Sequence, residues 1–146
     1  MTSVWILLPF FYVGGVEKWA VALARELRQS YDVRVISFGP VDAEAERVFS
    51  EFPVHQMSAQ NLVRTVFRGG APDICIAALT PANIFASCLF FWGRTKVLSS
   101  THLTLSRESA KNYFHYIRRC FVYYFIGRVS DVVIAVSEGV KRDLRD

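Results

Sequence analysis

The stretch that most constrains the fold runs from residue 4 to residue 27 and reads VWILLPFFYVGGVEKWAVALAREL. Its first five residues form an apolar run that ends at Pro9, as expected for a buried strand. After Gly14 and Gly15, apolar residues recur every three to four positions, which predicts an amphipathic helix. The apolar positions that share one face of this helix are Val16, Ala20, Leu23 and Leu27. The stretch is therefore predicted to be a strand, a glycine turn and a helix.

The two glycines between this strand and this helix suggest a place where the backbone can approach a ligand. Glycine permits backbone angles and close contacts that a side chain forbids. The helix that follows offers unpaired N–H groups to an anion such as a phosphate, and Glu17 in its first turn suits the helix dipole. Neither the GxGxxG dinucleotide fingerprint nor a P-loop is present. Gly14 and Gly15 therefore either line a binding site or form a plain turn.

The rest of the chain alternates strands with helices. Further strands are predicted at residues 33–38, 54–57, 74–78, 96–100 and 132–136. Helical segments are predicted at residues 42–50 (a short helix or a loop), 59–68, 82–92, 107–128 and 138–144. The segment 82–92 is apolar almost all round, so we expect it to be buried or covered. This order predicts an α/β fold, a parallel sheet with helices on both faces.

Polar or glycine residues follow most of the predicted strands. Because ligands of such sheets gather at the carboxyl ends of the strands, these residues are expected to share one edge and form a site. They are Gly14, Gly15, Thr80, His102 and Ser137.

Four segments, taken in order, resemble the N-terminal domain of GT-B glycosyltransferases, in particular the retaining family 4. They are GGVE, PDICIAA, KVLSSTH and DVVIAVSEGVKRDL. The resemblance implies a Rossmann-like N-terminal half of a GT-B fold, with residues 1–146 as one acceptor-side domain. In that family a second domain holds most of the nucleotide-sugar and carries two glutamates eight positions apart, a pair this sequence lacks. The resemblance thus implies a truncated or split enzyme, inactive without its C-terminal half.

The resemblance also assigns roles to individual residues. His102 looks like the family's cleft histidine, near the donor sugar and the reacting centre; the alternative is a half-buried histidine bonded to backbone. Asn83 either contacts a substrate hydroxyl or helps to start a helix. Ser137 and Glu138 match a segment that caps the last helix at the cleft, although capping and the helix dipole explain both residues without a ligand.

The charge of the chain is mildly basic, with a net charge of +4 and a pI of about 9.1. This favours phosphates or an anionic lipid surface, and we judge it too small and too scattered to indicate nucleic acid. The predicted helix 107–128 carries a basic face interleaved with aromatics, which suits a membrane or lipid-linked phosphate, or is a solvated face over an aromatic core. The cations assigned to this face are Arg107, Lys111, Arg118 and the neighbouring Arg119.

The amino-acid composition indicates the cellular environment in which the protein acts. The chain is 52% hydrophobic with a mean hydropathy of +0.25, so some apolar surface is expected to face a partner domain or a membrane. Three cysteines without a close pair indicate reduced core residues in a cytoplasmic protein. The N-terminus lacks the basic region of a signal peptide, and no apolar run is long enough to span a bilayer.

Two functions remain open at this point. The first is the acceptor-side half of a retaining glycosyltransferase, which moves a sugar from a nucleotide-sugar to a glycan or a lipid-linked acceptor in polysaccharide biosynthesis. It would act in the cytoplasm or at the inner face of the membrane. No bound metal is expected, because no histidine or cysteine pair has ligand spacing. The resemblance also implies no cofactor, since the nucleotide-sugar donor is a substrate and GT-B enzymes usually need no bound metal. The alternative is a non-catalytic scaffold that recruits a partner subunit or a membrane surface.

Overall fold

A computed structural model describes residues 1–50, 52–91, 93–102 and 113–143, with the backbone alone for residues 113–119, 139, 142 and 143. Each of the six predicted strands is present near its predicted position. The strands are β1 (Ser3–Leu8), β2 (Asp32–Ser37), β3 (Val54–Gln56), β4 (Ile74–Ala78), β5 (Lys96–Thr101) and β6 (Val132–Ala135).

The strands form one sheet in the order β3-β2-β1-β4-β5-β6, and every neighbouring pair is parallel. The chain starts in the middle, builds outward to β3, returns to β4 and builds outward again to β6. β1 is paired on both sides, Val4 lying opposite Val33 on β2 and opposite Ile74 on β4. The predicted Rossmann-like architecture is therefore confirmed, and all six strands end at the same edge of the sheet.

The first five helices connect the strands and run back over the sheet, and the sixth follows the last strand. They are α1 (Gly15–Leu27), α2 (Ala43–Val48), α3 (Ala59–Thr65), α4 (Thr80–Phe90), α5 (Tyr113–Val129) and α6 (Glu138–Asp143). α3 continues into a π-helical turn, Val66–Gly70, which ends where Gly69 adopts a φ of +86°. Such a φ strongly favours glycine, so the Gly69–Gly70 pair ends this helix as the sequence predicts.

Two apolar layers hold the sheet between its helices, and β1 shows why. Its side chains alternate, so Val4, Ile6 and Leu8 enter one layer, which also contains side chains of α1 and α2. Trp5 and Leu7 point to the other side, into a layer with side chains of α3 and α4. Central strands buried on both faces explain why the predicted strands are continuous apolar runs.

The helix α4 lies between two neighbours. On one side an apolar groove separates it from α3, and on the other Ser87 Oγ lies 3.3 Å from Ser130 Oγ, just after α5. Right-handed crossovers place α3, α4 and α5 on the same side of the sheet. The expectation that this apolar helix is covered is confirmed for Ala82, Ala86 and Phe90.

Two expectations about burial were wrong. Of the cysteines expected in the core, Cys75 is buried, but Cys120 is half-buried and Cys88 is exposed on the outer side of α4. β6 reads as a fully buried strand in the sequence, yet Val132 is 49% exposed, because β6 is an edge strand of the sheet. Among the described residues, no helix is long and apolar enough to cross a bilayer.

Candidate functional site

The carboxyl edge of the sheet brings together three elements of the predicted site. β1 leads into Gly14 and α1, β4 leads into α4, and β5 ends at Thr101 just before His102. The central strands β1, β4 and β5 are adjacent and parallel. Gly14, Asn83 and His102 therefore lie at one edge of the sheet, as the sequence predicts.

His102 is held between α1 and its own strand. Its ring packs edge-on against Trp19 of α1, with 4.8 Å between ring centroids. Its Nε2 lies 3.0 Å from Ser100 Oγ, and no described residue is bonded to Nδ1. The side chain is half-buried, and this burial lowers its pKa because it disfavours the charged imidazolium. At neutral pH the ring is therefore neutral, with one nitrogen able to donate and the other to accept.

Ser100 connects His102 to α4. Its backbone carbonyl accepts a hydrogen bond of 3.1 Å from Asn83 Nδ2, and its hydroxyl contacts the His102 ring. Asn83 thus ties the first turn of α4 to the end of β5, although Leu79 rather than Asn83 caps the helix. Ser100 is fully buried, which excludes it as a nucleophile despite its histidine neighbour.

A small cavity of about 10 Å³ lies beside this network. It is lined by Leu79, Thr80, Asn83, Thr101, His102 and Tyr123. Asn83 Oδ1 and Thr101 Oγ1 are buried there without a hydrogen-bond partner among the described residues. Buried polar atoms are normally paired, and a cavity of this size suits one water molecule or one hydroxyl group. The cavity therefore offers unused hydrogen-bonding capacity next to His102.

The segment that joins β4 to α4 has a strained backbone. Leu79 has a φ of +74° and a ψ of 149°, in a region that residues other than glycine rarely adopt. Leu79 borders the cavity, and Thr80 Oγ1 lies 3.5 Å from the Tyr123 hydroxyl of α5. A strained conformation of this kind is often found where a loop is held for a functional purpose.

The glycine turn behaves differently at its two residues. Gly14 has an extended backbone that any residue adopts, so the expected need for special backbone angles was wrong. Glycine is required at position 14 for a steric reason, because a Cβ there would overlap the carboxylate of Glu17. Glu17 itself is only 4% exposed, which the sequence did not suggest. Gly15 faces open space, and a Cβ added there would meet no atom within 4 Å.

The other predicted site residues are less closely connected. Ser137 Oγ accepts a 3.3 Å hydrogen bond from Val140 N, which is a helix cap. Glu138 is exposed and forms an ion pair with Lys141 at 3.2 Å. Arg107 and Lys111 lie outside the described residues, while Arg118 and Arg119 lie on α5 with undescribed side chains.

Two residues in contact with the site were missed by sequence reasoning. Trp19 and Tyr123 reach His102 and Thr80 from helices that are distant in sequence. Trp19 follows Val16 by three positions and could have been added to the apolar face of α1. No local signal distinguishes Tyr123 from the other aromatic residues of α5.

Comparison with known proteins decides the family. A family model described as Glycosyltransferase Family 4 matches residues 13–146. The chain belongs to glycosyltransferase family 4. The resemblance inferred from the four sequence segments is thereby confirmed.

Solved structures agree on the fold. The chain is similar to Anabaena HepE, crystallised with UDP and glucose, with a TM-score of 0.78 and 18% identity over 99% of this chain and 41% of that one. It is also similar to the lipopolysaccharide outer core galactosyltransferase WaaB in its apo form, with a TM-score of 0.69 and 14% identity over 99% of this chain and 42% of that one. The chain thus spans about two-fifths of the length of each of these two proteins. A search of curated proteins by sequence gave no significant match.

Proposed function

We propose that this domain is the acceptor-side half of a retaining glycosyltransferase that moves a sugar from a nucleotide-sugar to a glycan or lipid-linked acceptor in polysaccharide biosynthesis. The observation that carries the proposal is the carboxyl-edge site of a family 4 domain, where a neutral, half-buried His102 borders buried polar atoms that have no partner among the described residues. HepE was crystallised with UDP and with UDP-glucose, which supports a nucleotide-sugar as donor here. A cytoplasmic location is part of the proposal, supported by three free cysteines.

His102 is proposed to position the reacting groups rather than to act as a nucleophile. Nε2 is engaged by Ser100, and Nδ1, which no other described residue contacts by a hydrogen bond, is proposed to bind a substrate hydroxyl. The Asn83–Ser100 hydrogen bond keeps the end of β5, and with it the ring, in a fixed orientation. Fixed orientation of a polar group lowers the barrier to transfer because no reorganisation is needed during the reaction.

The cavity beside His102 is proposed to receive one hydroxyl of a sugar. Thr101 Oγ1 can donate or accept, and Asn83 Oδ1 accepts, so together they match the hydrogen-bonding capacity of a hydroxyl. Asn83 would then serve as a substrate contact and as the link between α4 and β5.

The N-terminus of α1 is proposed to help stabilise the leaving diphosphate. Its first-turn N–H groups and the helix dipole favour a negative charge. The carboxylate of Glu17 occupies the side next to Gly14, so an anion would approach from the open side at Gly15. Ser137 and Glu138 are proposed only as part of the rim, because capping and the ion pair with Lys141 explain their contacts.

The remainder of the donor site is proposed to lie in a second domain, since the chain covers 41% of HepE. Alone, the 146 residues are then expected to transfer little or no sugar. We further propose that this half supplies no metal ion, because hydroxyl, amide and phenol groups surround His102 and the described residues contain no cluster of three metal-ligating side chains.

The test is a sugar-transfer assay on the chain continued into, or combined with, a nucleotide-sugar-binding domain. Release of UDP from UDP-sugars would be followed with a glycan or lipid-linked acceptor. We expect His102→Gln to lower kcat about 100-fold, a typical loss for one positioned polar group. The matched control is His55→Gln, since His55 is exposed on the edge strand β3 and should be neutral. Equal activity of the two variants, or full activity of the 146 residues alone, would contradict the proposal.

A further inference from the structure

One contact joins two parts of the candidate site that come from distant parts of the chain. Trp19 lies on α1, whose N-terminus is proposed to face the diphosphate, and His102 follows β5. The indole and imidazole rings are 4.8 Å apart between centroids, with an angle of 74° between their planes. Edge-to-face contacts of this kind are a favoured arrangement of two aromatic rings. The contact therefore relates the position of α1 to the orientation of His102.

The indole of Trp19 is itself held by the core. Val16, Trp19 and Leu23 are spaced as neighbours on one face of α1, and all three pack, partly buried, against the first apolar layer. Trp19 is half-buried, so part of its ring is left for His102. A tryptophan side chain has only two rotatable bonds and loses little entropy when it is fixed. Trp19 thus gives His102 a rigid surface.

The hydrogen-bonding contact of His102 does not by itself determine the plane of its ring. The contact between Nε2 and Ser100 Oγ, at 3.0 Å, fixes one ring atom, about which the imidazole can still tilt. A ring-to-ring contact restricts that tilt, because only some angles between the two planes are favourable. Among the described residues, Trp19 is the aromatic partner of His102.

The described neighbours of the His102 ring are uncharged. Tyr123 is the titratable residue that lines the cavity together with His102. On α1, Lys18 is exposed and the carboxylate of Glu17 lies at the glycine turn, and neither has a described ion pair with His102. Burial is accordingly what lowers the pKa of His102. Trp19 is the largest of the side chains that supply this burial.

We propose that Trp19 is a positioning residue for His102, whose indole fixes the plane of the imidazole and shields one side of it from water. The orientation of the ring is a property of the chain itself, whereas its effect on sugar transfer rests on the proposed function. The alternative is that Trp19 only fills the apolar layer. The two roles can be separated, because filling the layer does not require any change in the protonation or the tautomer of His102.

The first test is an NMR titration of the 146-residue chain with isotope-labelled histidines, in which His102→Gln identifies the His102 signals. We expect Trp19→Leu to raise the pKa of His102 toward its ordinary value, because water then reaches the ring. The shifts of the two ring nitrogens should move toward the average of the two tautomers. Trp19→Phe keeps an aromatic ring at this place and should leave both signals nearly unchanged.

Two results of this titration would overturn the proposal. One is an unchanged pKa of His102 in Trp19→Leu, which would leave Trp19 a packing role alone. The other is a lowered pKa, which would mean that the indole stabilises the imidazolium by a cation–π contact instead of shielding a neutral ring.

Trp5→Leu is the matched control. Trp5 is 4% exposed on β1 and points into the other apolar layer. The same atoms are removed, so this change should lower the free energy of unfolding at least as much as Trp19→Leu does. The His102 signals should nevertheless stay in place, and equal shifts in the two variants would sink the proposal. Should Trp19→Leu not fold, Trp19→Met keeps more of the volume without an aromatic ring, and the same shift is expected of it.

The second test is sugar transfer with the nucleotide-sugar-binding domain present. Trp19→Leu should lower kcat about tenfold and change KM for the nucleotide-sugar less than about twofold, since a misoriented group is felt at the reacting centre. The acid limb of the kcat profile should move to higher pH, because the ring then becomes charged at a higher pH. Trp19→Phe should restore both properties. A change in KM alone would contradict the positioning role.

The positioning role and the proposed function can fail separately. If His102→Gln transfers sugar as fast as the unmodified protein, the proposed function fails, and the NMR titration still decides whether Trp19 orients the ring. If His102→Gln is impaired while Trp19→Leu keeps a normal kcat and an unchanged His102 titration, the proposed function stands and the positioning role fails.

Discussion

The two glycines of the turn before α1 should respond in opposite directions to the same substitution. Gly15 is the first residue of α1, and a Cβ there meets nothing within 4 Å. Gly15→Ala is therefore expected to raise the free energy of unfolding by about 0.5 kcal/mol, because alanine loses less conformational entropy on folding than glycine. Gly14 has a backbone conformation that alanine also accepts, so the same entropic gain applies there.

At Gly14 a steric cost opposes that gain. The new Cβ overlaps the Glu17 carboxylate, and Glu17 is 4% exposed, so its side chain must move within a packed environment. Overpacking of this kind costs about 1–3 kcal/mol, toward the lower end here because the displaced atoms end a flexible side chain. Gly14→Ala should therefore lower the free energy of unfolding by about 1 kcal/mol. For a chain of this size the two variants should differ by about 3–6 °C in Tm.

A double-mutant cycle tests the cause. In a Glu17→Ala background the carboxylate that the new Cβ would overlap is absent. Gly14→Ala should then raise the free energy of unfolding by about 0.5 kcal/mol, as Gly15→Ala does. Urea unfolding of the four variants of the cycle, with Gly15→Ala as the matched control, gives each free energy. If Gly14→Ala stabilises the protein as much as Gly15→Ala does, or if the cycle shows no coupling, the account of a turn shaped around Glu17 is refuted.

Two further predictions follow from the titrating groups. Burial lowers the pKa of His102, so the unfolded chain binds the imidazole proton more tightly than the folded one, and the free energy of unfolding should fall as the pH drops below about 6.5. His102→Gln should flatten the dependence of this free energy on pH between about pH 7 and 5. An unchanged dependence would contradict the half-buried neutral ring. Burial raises the pKa of the Cys75 thiol to about 12, whereas Cys88 is exposed. A thiol reagent should therefore modify Cys88 in the native protein and Cys75 only on unfolding, which mass spectrometry of the labelled protein would detect; rapid labelling of native Cys75 would contradict its burial.

Local patterns predicted much of the fold because each element carries its own signal. The central strands are continuous apolar runs, and β1 enters two layers, so the sequence alone indicated a sheet covered on both faces. The burial of residues on the edge strand and on the outer sides of helices could not be predicted from local patterns. The sequence of β6 resembles a central strand, and its exposure depends on its place at the edge. Likewise, Cys88 lies in an apolar helix but on its outward side.

The candidate site was predictable in its location but not in its contacts. Residues after parallel strands must share an edge, which is why Gly14, Asn83 and His102 come together. Packing between elements distant in sequence determines two further features, the contact between Trp19 and His102 and the conformation of Leu79. Local sequence patterns do not predict such packing. The burial of Glu17 is the clearest example, because a charged residue in a first turn is ordinarily solvated.

The central claim is that the carboxyl edge of this sheet is one wall of a ligand-binding crevice. The most direct measurement is a crystal structure of the chain together with a nucleotide-sugar-binding domain, soaked with a UDP-sugar. The account predicts the sugar within hydrogen-bonding distance of His102 and the diphosphate near Gly15. It would be contradicted by a ligand bound at the amino edge, in the groove of about 660 Å³ lined by Arg28, Arg34 and His55 among others, with His102 left in contact with solvent alone.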